Sequence, residues 1–71
     1  MPIKPYLDGI EFDPETLRIL DFVMERVSLT LLLDRREIPH ERIAKAIIKL
    51  AQQGERDPVR LRERILQSMA G

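Results

Sequence analysis

The chain has 71 residues and a mass of 8.3 kDa, which is one small domain with no room for a second core. It has no cysteine and one histidine, which excludes disulfide staples and every zinc-site spacing. Twelve basic and twelve acidic side chains cancel, while 44% hydrophobic and 34% charged content with three glycines describes a folded, helix-rich domain rather than disorder.

A domain this short buries only about 60% of its unfolded surface and usually needs a staple. With disulfide and metal excluded, association with a second subunit is the one left. The neutral total hides a gradient. Residues 1–34 carry three basic against seven acidic side chains, and residues 35–71 carry nine against five. Two readings follow: a basic face for nucleic acid, or two halves that attract each other within or between chains. The second is the one adopted here.

Residues 1–12 hold Pro2, Pro5 and Gly9 and read as an extended arm. Ile3, Tyr6, Leu7, Ile10 and Phe12 suit it to lie across a helical core. Lys4, Asp8 and Glu11 interrupt any signal-peptide core. The most apolar run, Val27 to Leu33, is far short of the ~20 residues that span a bilayer. The reading is a cytoplasmic protein with no membrane partner.

A first helix begins at Asp13-Pro14. Aspartate caps free N–H groups, and proline fits the first helical position. Phe12 and Leu17 occupy the staple positions. This helix runs to about Asp34. A second starts near Pro39 and stops before Gly54, with Ile43, Ile47 and Leu50 on one face and Ala44, Ala46 and Ala51 beside them. Glu41 and Lys45 form a favourable pair four apart. A third starts at Asp57-Pro58 and shows Leu61, Ile65, Leu66 and Met69 on its apolar face.

The first helix is the informative one. At about 100° per residue, Leu17, Leu20, Val23, Met24, Val27 and Leu31 share one face. Ile19, Phe22, Leu29 and Leu33 make a second apolar stripe, interrupted only by Arg26. A helix in a three-helix monomer needs one stripe. Leaving four large side chains wet forgoes roughly 1.5–3 kcal/mol each. The second stripe therefore predicts a homodimer interface at Ile19, Phe22, Leu29 and Leu33, with the arm as the other candidate cover and an unidentified protein partner also open.

Catalytic chemistry finds no constellation. His40-Glu41 opens the H-E-x-x-H spacing, but Ala44 stands where the second histidine belongs. Ser28 and Thr30 lie within an apolar helix, where hydroxyls bond their own backbone. Asp21 and Glu25 sit with Arg18 and Ser28 on a polar strip of the first helix that faces no evident pocket. No catalytic, cofactor or metal residue is assigned. The rival to self-association is nucleic-acid contact through Arg42, Lys45 and Lys49 on the second helix and Arg60 and Arg64 on the third. The turn between them, Gln52 to Asp57, is longer than the three or four residues of a helix-turn-helix, and Glu55, Asp57 and Glu63 dilute the charge.

Phe12-Asp13-Pro14-Glu15-Thr16-Leu17 and Gly54-Glu55-Arg56-Asp57-Pro58, with the amphipathic Ile43–Ala51 between them, resemble short uncharacterised proteobacterial helical proteins with the same helix start and turn. The resemblance covers most of residues 12–66 and implies no activity and no functional residue. Arg56 in that turn is placed to bridge to the acidic part of the first helix. The reading is all-α: an extended arm over 1–12 and one three-helix domain over 13–71, with the two shorter helices packed on the long one.

Overall fold

Both Asp-Pro pairs start helices. In the computed structural model, which describes residues 2–70, α1 spans Pro14–Leu33, α2 His40–Gln52 and α3 Pro58–Met69. There is no strand among the described residues. Twenty residues at ~1.5 Å each give α1 a length of ~30 Å, close to the molecule's longest dimension of 32 Å. α2 and α3 each pack against α1 and against each other.

The two starts use different chemistry. Asp57 accepts from the backbone N–H of Val59 at 2.9 Å and, more weakly, from that of Arg60 at 3.4 Å. Asp13 caps no backbone N–H. Its carboxylate instead accepts the hydroxyl proton of Thr16, a buried side chain one turn on. That bond, with smaller contributions from nearby backbone N–H groups and least from the Arg56 charge, holds the Asp13 carboxyl below the usual aspartate range.

The two internal stops share one design. After α2, Gly54 takes φ +102°, its N–H bonds to Ala51 O at 3.0 Å, and the Glu55 N–H bonds to Leu50 O at 3.1 Å. After α1, Arg35 takes φ +56°, its N–H bonds to Leu32 O at 3.0 Å, and the Arg36 N–H bonds to Leu31 O at 2.9 Å. Both are Schellman ends, which satisfy carbonyls the helix itself leaves free. The second puts arginine where glycine is the usual residue.

The core is one cluster. α1 contributes Leu20, Val23, Met24, Val27 and Leu31; α2 contributes Ile43, Ala44, Ile47, Ile48 and Ala51; α3 contributes Leu61, Ile65 and Met69. Leu17, Leu50 and Leu66 are only partly buried around it. On α2 the buried face is turned toward Ile48 and away from Leu50; the arm's first turn also packs against α2, while Leu50 borders the α2–α3 groove.

The arm is folded rather than extended. Lys4–Tyr6 forms one 3-10 turn, and Leu7-Asp8-Gly9-Ile10 closes a β-turn through Ile10 N–H to Leu7 O at 3.0 Å. Both central residues have positive φ, as a type I′ turn requires. Two anchors pull the arm down. Ile3 is fully buried in the core, and its N–H donates to Asp21 Oδ1 at 2.7 Å. Tyr6, Leu7, Ile10 and Phe12 pack on the core edge as half-buried lids. Met1 lies outside the described residues, as does Gly71 at the other end.

Candidate functional site: the outer face of α1

With its inner face committed to the core, α1 turns Phe22, Leu29 and Leu33 directly outward. Phe22 is 55% exposed, Leu29 46% and Leu33 75%. Leu32, beside Leu33, is 72% exposed, and Val59 at the start of α3 is 53% exposed. Ile19 differs from its three companions: it is half-buried and packs on the core margin. The folded arm therefore leaves Phe22, Leu29 and Leu33 uncovered. Leu32 and Val59 were not among the residues singled out from the sequence. Leu32 falls between the two stripes at 100° per residue, and Val59 joins the surface only through the packing of α3 on α1.

The borders of this face are charged and unequal. Asp21, Phe22 and Glu25 border one hollow together with Pro2. Phe22, Arg26, Val59 and Arg62 border another, with Pro58. Phe22 thus stands between an acidic flank and a basic one. Asp21 is tied to the arm through Ile3 N–H, so its place on the acidic flank is fixed.

The basic residues of α2 and α3 do not form one stripe. All five of Arg42, Lys45, Lys49, Arg60 and Arg64 are exposed. Lys45 pairs with Glu41 at 3.1 Å and shares a hollow with Asp8, Pro5 and Tyr6 of the arm. Arg64 pairs with Glu55 at 3.5 Å and lines the α2–α3 groove with Lys49. The structure brings Lys49 and Arg64 together and sends Lys45 toward the arm. Arg42, Lys49 and Arg60 have no ion-pair partner among the described residues.

Arg56 makes no ion pair with an α1 carboxylate. Its guanidinium donates to the carbonyls of Ala51 and Glu55 and lies over the Phe12 ring, 5.5 Å from the centroid. It fastens the α2–α3 turn to the end of α2 and to the arm, by a carbonyl clamp and a cation–π contact.

The hydroxyls behave in two ways. Thr30 Oγ1 donates to Arg26 O at 2.9 Å and Ser68 Oγ to Ile65 O at 2.9 Å, both backbone bonds within their own helices. Ser28 departs from that pattern: its Oγ is buried and has no hydrogen-bond partner. It borders an open groove under the α1–α2 loop with Leu31, Leu32, Ile38, Pro39 and His40. Among the described residues, no three His, Cys, Asp or Glu side chains come together to hold a metal, and no helix is long and apolar enough to cross a membrane.

The chain matches no protein-family model, no curated protein and no solved structure. A functional reading therefore rests on this surface.

Proposed function

We propose that this chain is a small, non-enzymatic, cytoplasmic helical protein that self-associates through the outer face of α1 and acts as an adaptor or regulatory accessory. One observation carries the reading. The outer side of α1 exposes Phe22, Leu29, Leu32 and Leu33, whereas the outer sides of α2 and α3 carry Arg42, Lys45, Lys49, Arg60, Glu63 and Arg64. Single exposed apolar residues need no explanation, but a contiguous row on one helix marks an interaction surface. A chain with a core of this size gains from covering it.

Sedimentation over a wide concentration range tests the reading. The wild type dimerises as concentration rises, and Leu29→Asp stays monomeric with unchanged helix content. A wild type that remains a monomer throughout rejects it.

Nucleic-acid contact is the second reading, supported by Arg42, Lys49 and Arg60, which are exposed and have no ion-pair partner among the described residues. Reversal of Lys45 and Lys49 to glutamate discriminates the two. It abolishes a salt-dependent shift of labelled DNA under the second reading and leaves dimerisation intact under the first.

A further inference from the structure

The charged flanks of α1 decide how two copies meet. Ile19, Phe22, Arg26, Leu29 and Leu33 alternate in steps of three and four along the helix. That is the heptad spacing of a two-helix seam, with one polar position at Arg26. On one side of the seam stand Asp21 and Glu25, with Arg18 one turn ahead of them, so that this flank is net acidic; on the other side, next to Arg26, stands Arg62 of α3.

Two-fold symmetry allows two ways to pair this face with itself. An axis perpendicular to α1 makes the helices antiparallel and lays each flank against its like. Asp21 and Glu25 then face the same carboxylates of the other copy, and the arginines face arginines. An axis parallel to α1 makes the helices parallel and lays each flank against the opposite one. Glu25 then meets the partner's Arg26, and Asp21 and Glu25 meet the partner's Arg62, twice over by symmetry. Opposite flank charges favour the second arrangement, and like charges set against each other oppose the first.

From this charge pattern we infer that the chain forms a parallel dimer, its two-fold axis running along α1, with Glu25 of each copy paired to the partner's Arg26. The inference rests on the self-association proposed above and adds its orientation and register. In this arrangement the apolar seam residues meet their own counterparts: Phe22 on the partner's Phe22, Leu29 on the partner's Leu29 and Leu33 on the partner's Leu33. The arginine at position 26 leaves the apolar seam for the partner's carboxylate, which pins the register as a polar seam residue does in coiled coils.

The absence of cysteine from the chain makes the test direct. Phe22→Cys and Leu33→Cys are made separately. Both sites are exposed, and they lie eleven residues apart, or ~16 Å along the helix. A disulfide needs Cβ atoms within roughly 3.5–4.5 Å, so self-linking at both sites requires parallel helices. The proposal expects each variant to form a disulfide-linked homodimer under mild oxidation. It is overturned if neither variant links to itself and an equimolar mixture yields the mixed dimer, resolved by mass; that result keeps self-association and reverses the orientation. A wild type that sediments as a monomer overturns both.

Charge exchange supplies a second readout that needs no cysteine. Glu25→Arg and Arg26→Glu each weaken dimerisation about tenfold, and the double exchange restores it to within about threefold. Two weakened single variants with no recovery in the double variant count against the pairing.

Discussion

Gly54 and Arg35 hold equivalent positions, each two residues past the last residue of a helix and with positive φ. Glycine occupies that conformation without a Cβ penalty, and other residues spend about 1 kcal/mol to do so. No atom lies within 4 Å of a Cβ built on Gly54, so the cost of Gly54→Ala is conformational alone. Chemical denaturation should show Gly54→Ala destabilised by ~1 kcal/mol. Arg35→Gly should be neutral to slightly stabilising, by up to ~0.5 kcal/mol, because relief of the strained φ outweighs the added freedom of the unfolded chain.

Asp57→Ala should cost ~1 kcal/mol, the usual worth of an N-cap, by the same measurement. The carboxyl of Asp13 titrates below its ordinary value, chiefly through the Thr16 hydroxyl. A depressed carboxylate adds stability that is fully present above its unfolded value, near ~3.9, and is lost as pH falls through its folded value. Stability should therefore fall below about pH 4, and Asp13→Asn should make that part of the acid dependence shallower in denaturation curves taken at successive pH values.

Within the elements, what the sequence made legible follows from period and caps. The 3.6-residue pattern located all three helices, and Gly54 marked the end of α2. Pattern alone does not show Ile48 as core: it lies on the side of α2 that carries Glu41 and Lys45, and the arm packs against α2 there. The arm was misread for a similar reason. Pro2 and Pro5 argue for extended chain, but Asp8-Gly9 is a type I′ turn pair, and the turn forms because Ile3 has a core to enter. Ile3→Ala should cost ~2–4 kcal/mol and loosen the arm, seen as faster hydrogen exchange at the Ile10 amide. Leu20→Ala, at the centre of α1's inner face, should cost ~2–5 kcal/mol. On the outer face of the same helix, Leu33→Ala should leave the monomer's stability within about 0.5 kcal/mol.

For the whole molecule, that contrast is the argument. One helix carries two apolar faces, and the fold uses one. The outer stripe was readable at 22, 29 and 33, since a 100° step puts these residues opposite the core. Ile19 belongs to the same stripe by spacing but sits at its edge, nearest the buried Val23, and packs on the core margin. Val59 and Arg62 were not readable as part of this face at all; they arrive there only when α3 docks on α1. The flank asymmetry around Phe22 is thus a tertiary property, built from Asp21 and Glu25 on one element and Arg62 on another.

The most direct measurement is an isotope-filtered NOE experiment on an equal mixture of labelled and unlabelled wild-type protein. Self-association through the outer face of α1 predicts intermolecular cross-peaks from the Leu29 and Leu33 methyls and the Phe22 ring, and none from the charged outer sides of α2 and α3. Cross-peaks confined to α2 and α3, or none from the outer face of α1 at concentrations where the protein sediments as a dimer, contradict it.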